Sequence, residues 1–599
     1  MSSTEDDARV DEGPRAPRTA AQRVYIALGA VMFGLLAVAI VWIVVTGLVA
    51  RAQLNAVKGE LEDLRTAVSH GDLTKARALS HHIAEQTGSA HQLTSGPAWW
   101  VAANVPGLGT PLRTGRTIAC QADLVGRRAL PGVVDLGDQL LHTTSRNSTI
   151  DLRPLRRAQA KIVGAQLVVG TASRTIRAAD PSWLPMVSGP HRDIVAQLSA
   201  IDREVSRARQ ALTTALPMLG AVRPQRYFLG FMNEAESRGV GGLPGAFAIF
   251  TIDHGRLQFT HFGSDDELLG VRAPVSVSSE YRSLYGQDDP TGDIRNSDVS
   301  PHFPDAARIW AAMWQAKSGQ HVDGAIAVDP SAIAFLLKVT GPATLPGGAR
   351  VTAANVVSLT QEQQYALYGS DSVADTRKRK TYLVTIARAV AGRILSTSGI
   401  RGLAAPAQEA IAQRRLVLWS SDATQESAVV ALGLGGTLSP QRGRPFSAFV
   451  VNNAAGGKMD LYLDRTMTYR RRSCAAGAAT ATLVLHNDTP SYALPPYVTT
   501  VLGTKPVGAK PGFNRLVLAY YATPGAVLGK VTVDGALVSV TKASERGLPT
   551  ARLLVELPAG ATRTVRVAVR EPASGGPVDV LRQPGVRDIR VHTSTPACS

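Results

Sequence analysis

Four cations stand in a row at Arg377-Lys378-Arg379-Lys380, behind Asp371-Ser372-Val373-Ala374-Asp375-Thr376 and at the start of a helix-forming stretch. A helix N-terminus carries partial positive charge, so each cation there is disfavoured by about 0.3–1 kcal/mol at low salt. The arrangement makes sense where an anion binds at that end. The helix's apolar stripe runs Leu383, Ile386, Val390 and Ile394. That sends Arg379, one turn back, toward the interior edge and Lys378 to the far side. In the competing reading, Asp371 and Asp375 cap the helix or neutralise the cluster.

Three further stretches have residue types suited to chemistry. Residues 233–245 read Asn-Glu-Ala-Glu-Ser-Arg-Gly-Val-Gly-Gly-Leu-Pro-Gly. Glycines there let a backbone approach a ligand, and Arg238 supplies a fork that suits phosphate. The stretch joins two strands rather than a strand and a helix, so it is neither a P-loop nor a dinucleotide fingerprint. The plain alternative is a glycine-rich hairpin with a solvated arginine. Ser264-Asp265-Asp266-Glu267 gathers hard oxygen donors that suit Mg²⁺ or Ca²⁺, or forms an acidic turn without metal. The polar loop 293–301, with Arg295, either lines a site or is simply a turn before a helix carrying Trp310 and Trp314.

The elements that must hold these residues follow from periodicity. Tyr227 to Met232, Ala246 to Ile252, Leu257 to Phe262 and Val322 to Asp329 read as strands. Pro304 to Ala316, Ser331 to Val339 and Thr376 to Leu395 read as helices, the first with proline in its opening turn. Strands mixed with helices over residues 222–458 predict a layered α/β domain. Residues 52–221 read as a helical stalk or bundle, with Leu54, Val57, Leu61, Leu64 and Val68 forming one apolar stripe. From Met459 to Ser599 short strands alternate with Pro/Gly turns, predicting a β-sandwich.

Val24 to Ala50 holds no charged residue and is bracketed by Arg23 and Arg51. As a helix it reaches roughly 40 Å, enough to cross the roughly 30 Å hydrocarbon layer with some tilt. We read it as an uncleaved signal anchor. A cleaved signal peptide ending near Ala50-Arg51-Ala52 is the rival, disfavoured by an apolar core longer than the usual 7–15 residues. Arg9, Arg15, Arg18 and Arg23 before the span, against Arg51, Lys58 and Arg65 after it, slightly favour a cytoplasmic tail over residues 1–23 with the bulk extracytoplasmic at the plasma membrane, and Asp6, Asp7, Asp11, Glu12 and two prolines predict that the tail is disordered. The net charge is +17, with arginine outnumbering lysine 52 to 12. A basic balance suits anionic lipid or phosphate-bearing ligands. Nucleic acid is disfavoured by the export topology and by an aromatic content of 5%, since stacking platforms need rings.

The cysteines are Cys120, Cys474 and Cys598. Outside the cytoplasm Cys474 and Cys598 can form one disulfide, closing a loop worth on the order of 4–5 kcal/mol in the chain-entropy model. No CxxC or HExxH spacing occurs, which argues against zinc.

Several phrases resemble the domain-of-unknown-function family numbered 4012, found in actinobacteria as single-span envelope proteins. They are Arg226-Tyr-Phe-Leu-Gly-Phe-Met-Asn-Glu-Ala-Glu with its glycine stretch, Ile294-Arg-Asn-Ser-Asp-Val-Ser-Pro-His-Phe-Pro-Asp-Ala-Ala, Val322-Asp-Gly-Ala-Ile-Ala-Val-Asp-Pro and Gly456-Gly-Lys-Met-Asp. The order of elements is also distantly similar to the LytR-CpsA-Psr phosphotransferases, which move a glycopolymer from a polyprenyl pyrophosphate carrier to a wall acceptor. That resemblance implies Arg238, Arg377 and Arg379 as substrate-binding groups, to which Arg295 of the polar loop 293–301 is added from the loop's own residues. It implies Asp265 or Asp266 as the catalytic group or as a ligand of Mg²⁺. A polyprenyl-pyrophosphate-linked glycan and peptidoglycan would be the partners. The family's Arg-Ser-Asp aspartate is missing, since Gly239-Val240 follows Arg238, and Gly263-Ser-Asp-Asp-Glu replaces its Pro-Arg-Asp. Two readings therefore stand: a phosphotransferase-like enzyme, and a non-catalytic descendant that scaffolds an envelope complex.

Overall fold

The computed structural model describes residues 20–596 apart from 71, 108, 142–144, 147, 181, 398–400 and 505–507. The disordered tail expected at the N-terminus falls largely outside these residues, and so does Cys598. The chain is mixed α+β and multidomain, with an N-terminal apolar helix and a C-terminal β-rich region. It divides into two compact units, one comprising the chain up to Asp138 with Ala160–Ser206, the other Gln139–Gln159 with Arg207–Ser599.

The first unit is helical. Its leading helix, Ala20–His70, runs unbroken for 51 residues, about 75 Å. The apolar anchor and the first stalk helix, read as separate segments from the sequence, are thus one element. The helix is long and apolar enough to cross a membrane. Val45, Leu48 and Val49 are exposed, whereas Thr46 and Ala50 are buried by the bundle. Val57 and Leu64 then pack with Ala76, Ile83, Leu130 and Val134, and Leu61, Val68 and Leu79 lean on this core. Asp72 caps the next helix, Leu73–Ser95, accepting a hydrogen bond from the Lys75 N–H at 3.0 Å.

In the second unit a seven-stranded sheet orders its strands as Ser145–Arg146, Thr149–Ile150, Arg256–Ser264, Gly241–Asp253, Gln225–Arg238, Gly324–Val328 and Leu416–Ser420. Only the Gln225–Arg238 and Gly324–Val328 pair is parallel. One face carries Phe228, Phe247 and Ile249 against Trp310, Phe303 and Met313 of the helix Phe303–Ser318. A Cβ on Gly230 would come within 2.8 Å of the Trp310 ring, so only glycine fits under that indole. On the other face Phe231 and Val328 meet Ile333 and Leu337 of Pro330–Thr340, and Ile386 and Val390 of Val373–Ser396.

The C-terminal strands form a five-stranded and a six-stranded sheet. Inward residues of both, among them Phe449, Met467, Tyr469, Leu483, Leu518, Tyr520, Leu553 and Val567, share one core. Alternate burial along Leu463–Arg471 and Gly477–Asn487 matches period-two patterning. Phe446–Asn453, assigned to the preceding domain by the sequence reading, is a strand of this region and pairs with Asn514–Ala522.

Candidate functional site

The expected glycine-rich loop is in fact strand. Gln225–Arg238 and Gly241–Asp253 form one long hairpin that turns at Gly239-Val240. Pairing jumps from Asn233–Leu243 to Ser237–Gly242, so Glu234-Ala235-Glu236 bulges from the ladder. The glycines serve this bulge and its packing. A Cβ on Gly242 would collide with the Asn233 carbonyl, and one on Gly239 with the backbone of Val299 and Ser300.

The bulge carries its charges inward. Glu236 and Arg238 pair at 2.9 Å, with side chains 8% and 6% exposed, and Lys458 closes on the second Glu236 oxygen. The remaining Arg238 N–H groups are also used. Nε donates to the Arg295 carbonyl at 2.9 Å, Nη1 to the carbonyls of Ser237 and Asn453, and Nη2 to Glu236 Oε1 and, at 3.3 Å, to Asn296 Oδ1. Five N–H donors thus meet five acceptors. Burial alone would raise the Glu236 carboxyl, but Lys458 and Arg238 hold it below the usual carboxylate range. Asp460 fixes the hairpin tip, accepting from Ser237 N–H at 2.7 Å, Asn453 at 3.0 Å and Asn514 at 2.7 Å.

Beside it, Arg415 is 3% exposed and bridges Glu234 at 2.6 Å, Asp329 at 2.8 Å and Asp588 at 2.6 Å. Asp329 also caps the helix Pro330–Thr340 through the Ala332 N–H. Burial raises both acids, Glu234 more strongly because the Asp329 charge adds to it.

Arg379 is 2% exposed. Its Nη1 donates to the carbonyls of Tyr368 and Ser370, its Nη2 to Thr376 Oγ1 at 2.8 Å, and its guanidinium stacks 3.5 Å above the Tyr497 ring. The helix is capped by Ser372, which accepts from the Asp375 N–H at 3.1 Å. Asp375 instead binds Ser370, and Asp371 binds Thr500. Arg377 is exposed and makes no ion pair among the described residues. Arg295 is half exposed and held by Asp293 at 2.6 Å.

Asp265 is buried against Lys380, with Asp266 half exposed 4.0 Å from the same ammonium. Burial nevertheless raises the Asp265 carboxyl. A fixed ammonium on Asp265 does not suit a divalent cation, and no group of three His, Cys, Asp or Glu side chains able to hold a metal occurs among the described residues.

Asp298 is fully buried, and neither carboxylate oxygen is reached by another residue. Burial pushes it well above the usual carboxylate range despite the pull of Arg238. A second seam lies nearby, where Tyr285 and Tyr521 hydroxyls donate to Glu545 at 2.9 and 2.7 Å and Ser300 donates to its other oxygen.

Of the residues anticipated from sequence, Arg238, Arg295 and Asp265 converge around the hairpin tip, Arg379 joins them through Tyr497 and Lys458, and Arg377 stays apart. Glu234, Glu236, Asp298, Asp329, Lys380, Arg415 and Lys458 were not anticipated as site residues. No local signal marks Glu234 or Glu236, because their burial depends on Arg415 and Lys458 far along the chain.

Residues 223–365 match the family described as "Protein of unknown function (DUF4012)". The DUF4012 segment holds the whole bulge, Asp265, Arg295, Asp298 and Asp329, and ends before Arg379, Arg415 and Lys458. No curated protein matches the chain significantly. Among solved structures it is similar to the transcriptional regulator yvhJ from Bacillus subtilis, at 10% identity and a TM-score of 0.20 over 36% of this chain and 82% of that one. It is also similar to protein gbs0355 from Streptococcus agalactiae, at 12% identity and a TM-score of 0.23 over 37% and 76%. Lin1025 from Listeria innocua matches at 9% identity and a TM-score of 0.19 over 37% and 84%.

Proposed function

We propose that this chain is a single-pass, membrane-anchored envelope protein in which a LytR-CpsA-Psr-like core and a C-terminal β-sandwich form one non-catalytic scaffold. The observation that carries this reading is the saturation of Arg238, whose five N–H groups all meet protein oxygens. A pyrophosphate would have to displace acceptors from a buried guanidinium and would face Glu236 beside it. The partners of Arg238, Arg415 and Glu545 are drawn from both the core and the C-terminal strands. They are arranged as a weld between two modules rather than as an open cleft.

The bulk lies outside the cytoplasm in this reading. Cys474 is disulfide-bonded, which suits an oxidising compartment, and the tail arginines favour a cytoplasmic N-terminus.

The glycopolymer-transfer reading draws on one feature, an apolar cavity under the hairpin lined by Phe231, Val328, Ile333, Leu383 and Ile386. Its volume is about 40 Å³, against roughly 300–1,000 Å³ for ordinary ligand pockets. A polyprenyl tail would require the sheet and helix layers to part. Calorimetric titration of the full chain in detergent with a short polyprenyl diphosphate, with and without Mg²⁺, tests the scaffold reading.

A further inference from the structure

A cavity opens in the helical unit, far in sequence from the arginine cluster. Its volume is about 810 Å³, within the range of ligand-holding pockets. Ile43, Val44 and Leu48 of the leading helix line it together with Trp99, Leu112 and Ile118.

Its depth follows from one hydrogen bond. Trp99 Nε1 donates to Thr46 Oγ1 at 2.9 Å, with both groups buried. Thr46 lies inside the uncharged run that ends at Ala50, about one helical turn from its end. In the membrane-anchored reading, the short helix Pro97–Ala103 then sits where hydrocarbon gives way to headgroups. Trp100 and Val101 on that helix are 59% and 60% exposed. Tryptophan is enriched at that interface.

Two features make the space fit a charged amphiphile. Arg51 and Arg192 line the cavity, both are exposed, and neither is paired with a carboxylate among the described residues. Lys58, also lining it, is paired with Asp193 at 3.4 Å. Two glycines inside helices, Gly115 and Gly189, line the cavity too, and a Cβ on either would meet nothing within 4 Å. Glycine weakens a helix interior relative to alanine, and no close packing partner requires it here. The missing side chains keep the space open.

We infer that this cavity holds a tail of an anionic membrane phospholipid, with Arg51 and Arg192 meeting its phosphate. The inference rests on the membrane-anchored reading above. The site is continuous with the lipid-facing surface of the anchor, so the tail enters from the bilayer without crossing water.

The test uses the full chain in vesicles of phosphatidylglycerol and phosphatidylcholine, doped with phosphatidylglycerol bearing a photoactivatable group on its tail. Labelled peptides are mapped by mass spectrometry, and alkaline carbonate extraction is run in parallel. Labelling of residues 110–124 and 185–197 is expected. It should fall about tenfold in Gly115→Leu/Gly189→Leu and persist in Gly164→Leu, a helix glycine with equally open surroundings that does not line the cavity. Arg51→Gln/Arg192→Gln should abolish the preference for the phosphatidylglycerol probe over a phosphatidylcholine probe. A carbonate-resistant protein labelled equally with the cavity filled, or with no headgroup preference, overturns the inference. Release of the wild type by carbonate overturns the anchor reading instead.

Discussion

Arg238 and Glu236 pair at 2.9 Å with neither side chain more than 8% exposed, on the same strand and two residues apart. An arginine that resembles a substrate-binding group from sequence is thereby paired within its own strand, and Lys458 shares the same carboxylate through its second oxygen. Taking charges out of water costs several kcal/mol per ion, and only good geometry with full hydrogen bonding offsets it.

Arg238→Met leaves five acceptors without their donors. A loss of about 3–5 kcal/mol in stability is expected, as for breaking other buried pairs. The urea midpoint of the full chain in detergent reads it. A midpoint unchanged from wild type would mean that Arg238 is not part of the weld.

Asp298 sets a pH dependence. Its carboxyl is raised by burial, so it holds its proton more tightly folded than unfolded. The stability this contributes is complete below the ordinary aspartate range and is lost as pH rises through the raised value. Asp298→Asn, which cannot ionise, should flatten the alkaline side of the stability profile. Apparent Tm measured from about pH 5 to about pH 9 should fall less in the variant than in wild type. Parallel profiles would contradict the assignment.

Gly242→Ala places a Cβ against the Asn233 carbonyl inside the bulge. Overpacking of this kind costs typically about 1–3 kcal/mol. The variant should be cut faster than wild type by limited proteolysis within 233–245. Equal protection would show that the bulge can relax.

Much of this arrangement was legible beforehand, and the failures have physical causes. Short apolar runs located the strands around Tyr227, Ala246 and Leu257, and the stripe through Leu383 and Ile386 pointed Arg379 inward, where it is buried. The hairpin tip was misread because Glu, Ser, Arg and Gly have loop-like composition. Their burial depends on partners far along the chain. Lys458 is 222 residues from Glu236, and Arg415 is 181 residues from Glu234. Single-sequence periodicity carries no information about such pairings. The strand Phe446–Asn453 was misassigned for the same reason, since only its pairing with Asn514–Ala522 reveals its sheet.

Cys474 is disulfide-bonded and Cys120 is free. Cys474→Ser should lower stability by about 2–4 kcal/mol, the usual worth of a disulfide. Maleimide labelling of the denatured, unreduced chain should modify Cys120 alone, with all three cysteines labelled after reduction. Full labelling before reduction would remove the support the disulfide gives to an extracytoplasmic bulk.

The most direct measurement is calorimetric titration of the detergent-solubilised full chain with a short polyprenyl diphosphate, with and without Mg²⁺, beside Arg238→Ala/Arg379→Ala. A closed site whose arginines are already satisfied should give no heat of binding in either condition. Saturable binding by the wild type that disappears in the double variant would show the cluster opening to take pyrophosphate, and the scaffold reading would then give way to glycopolymer transfer.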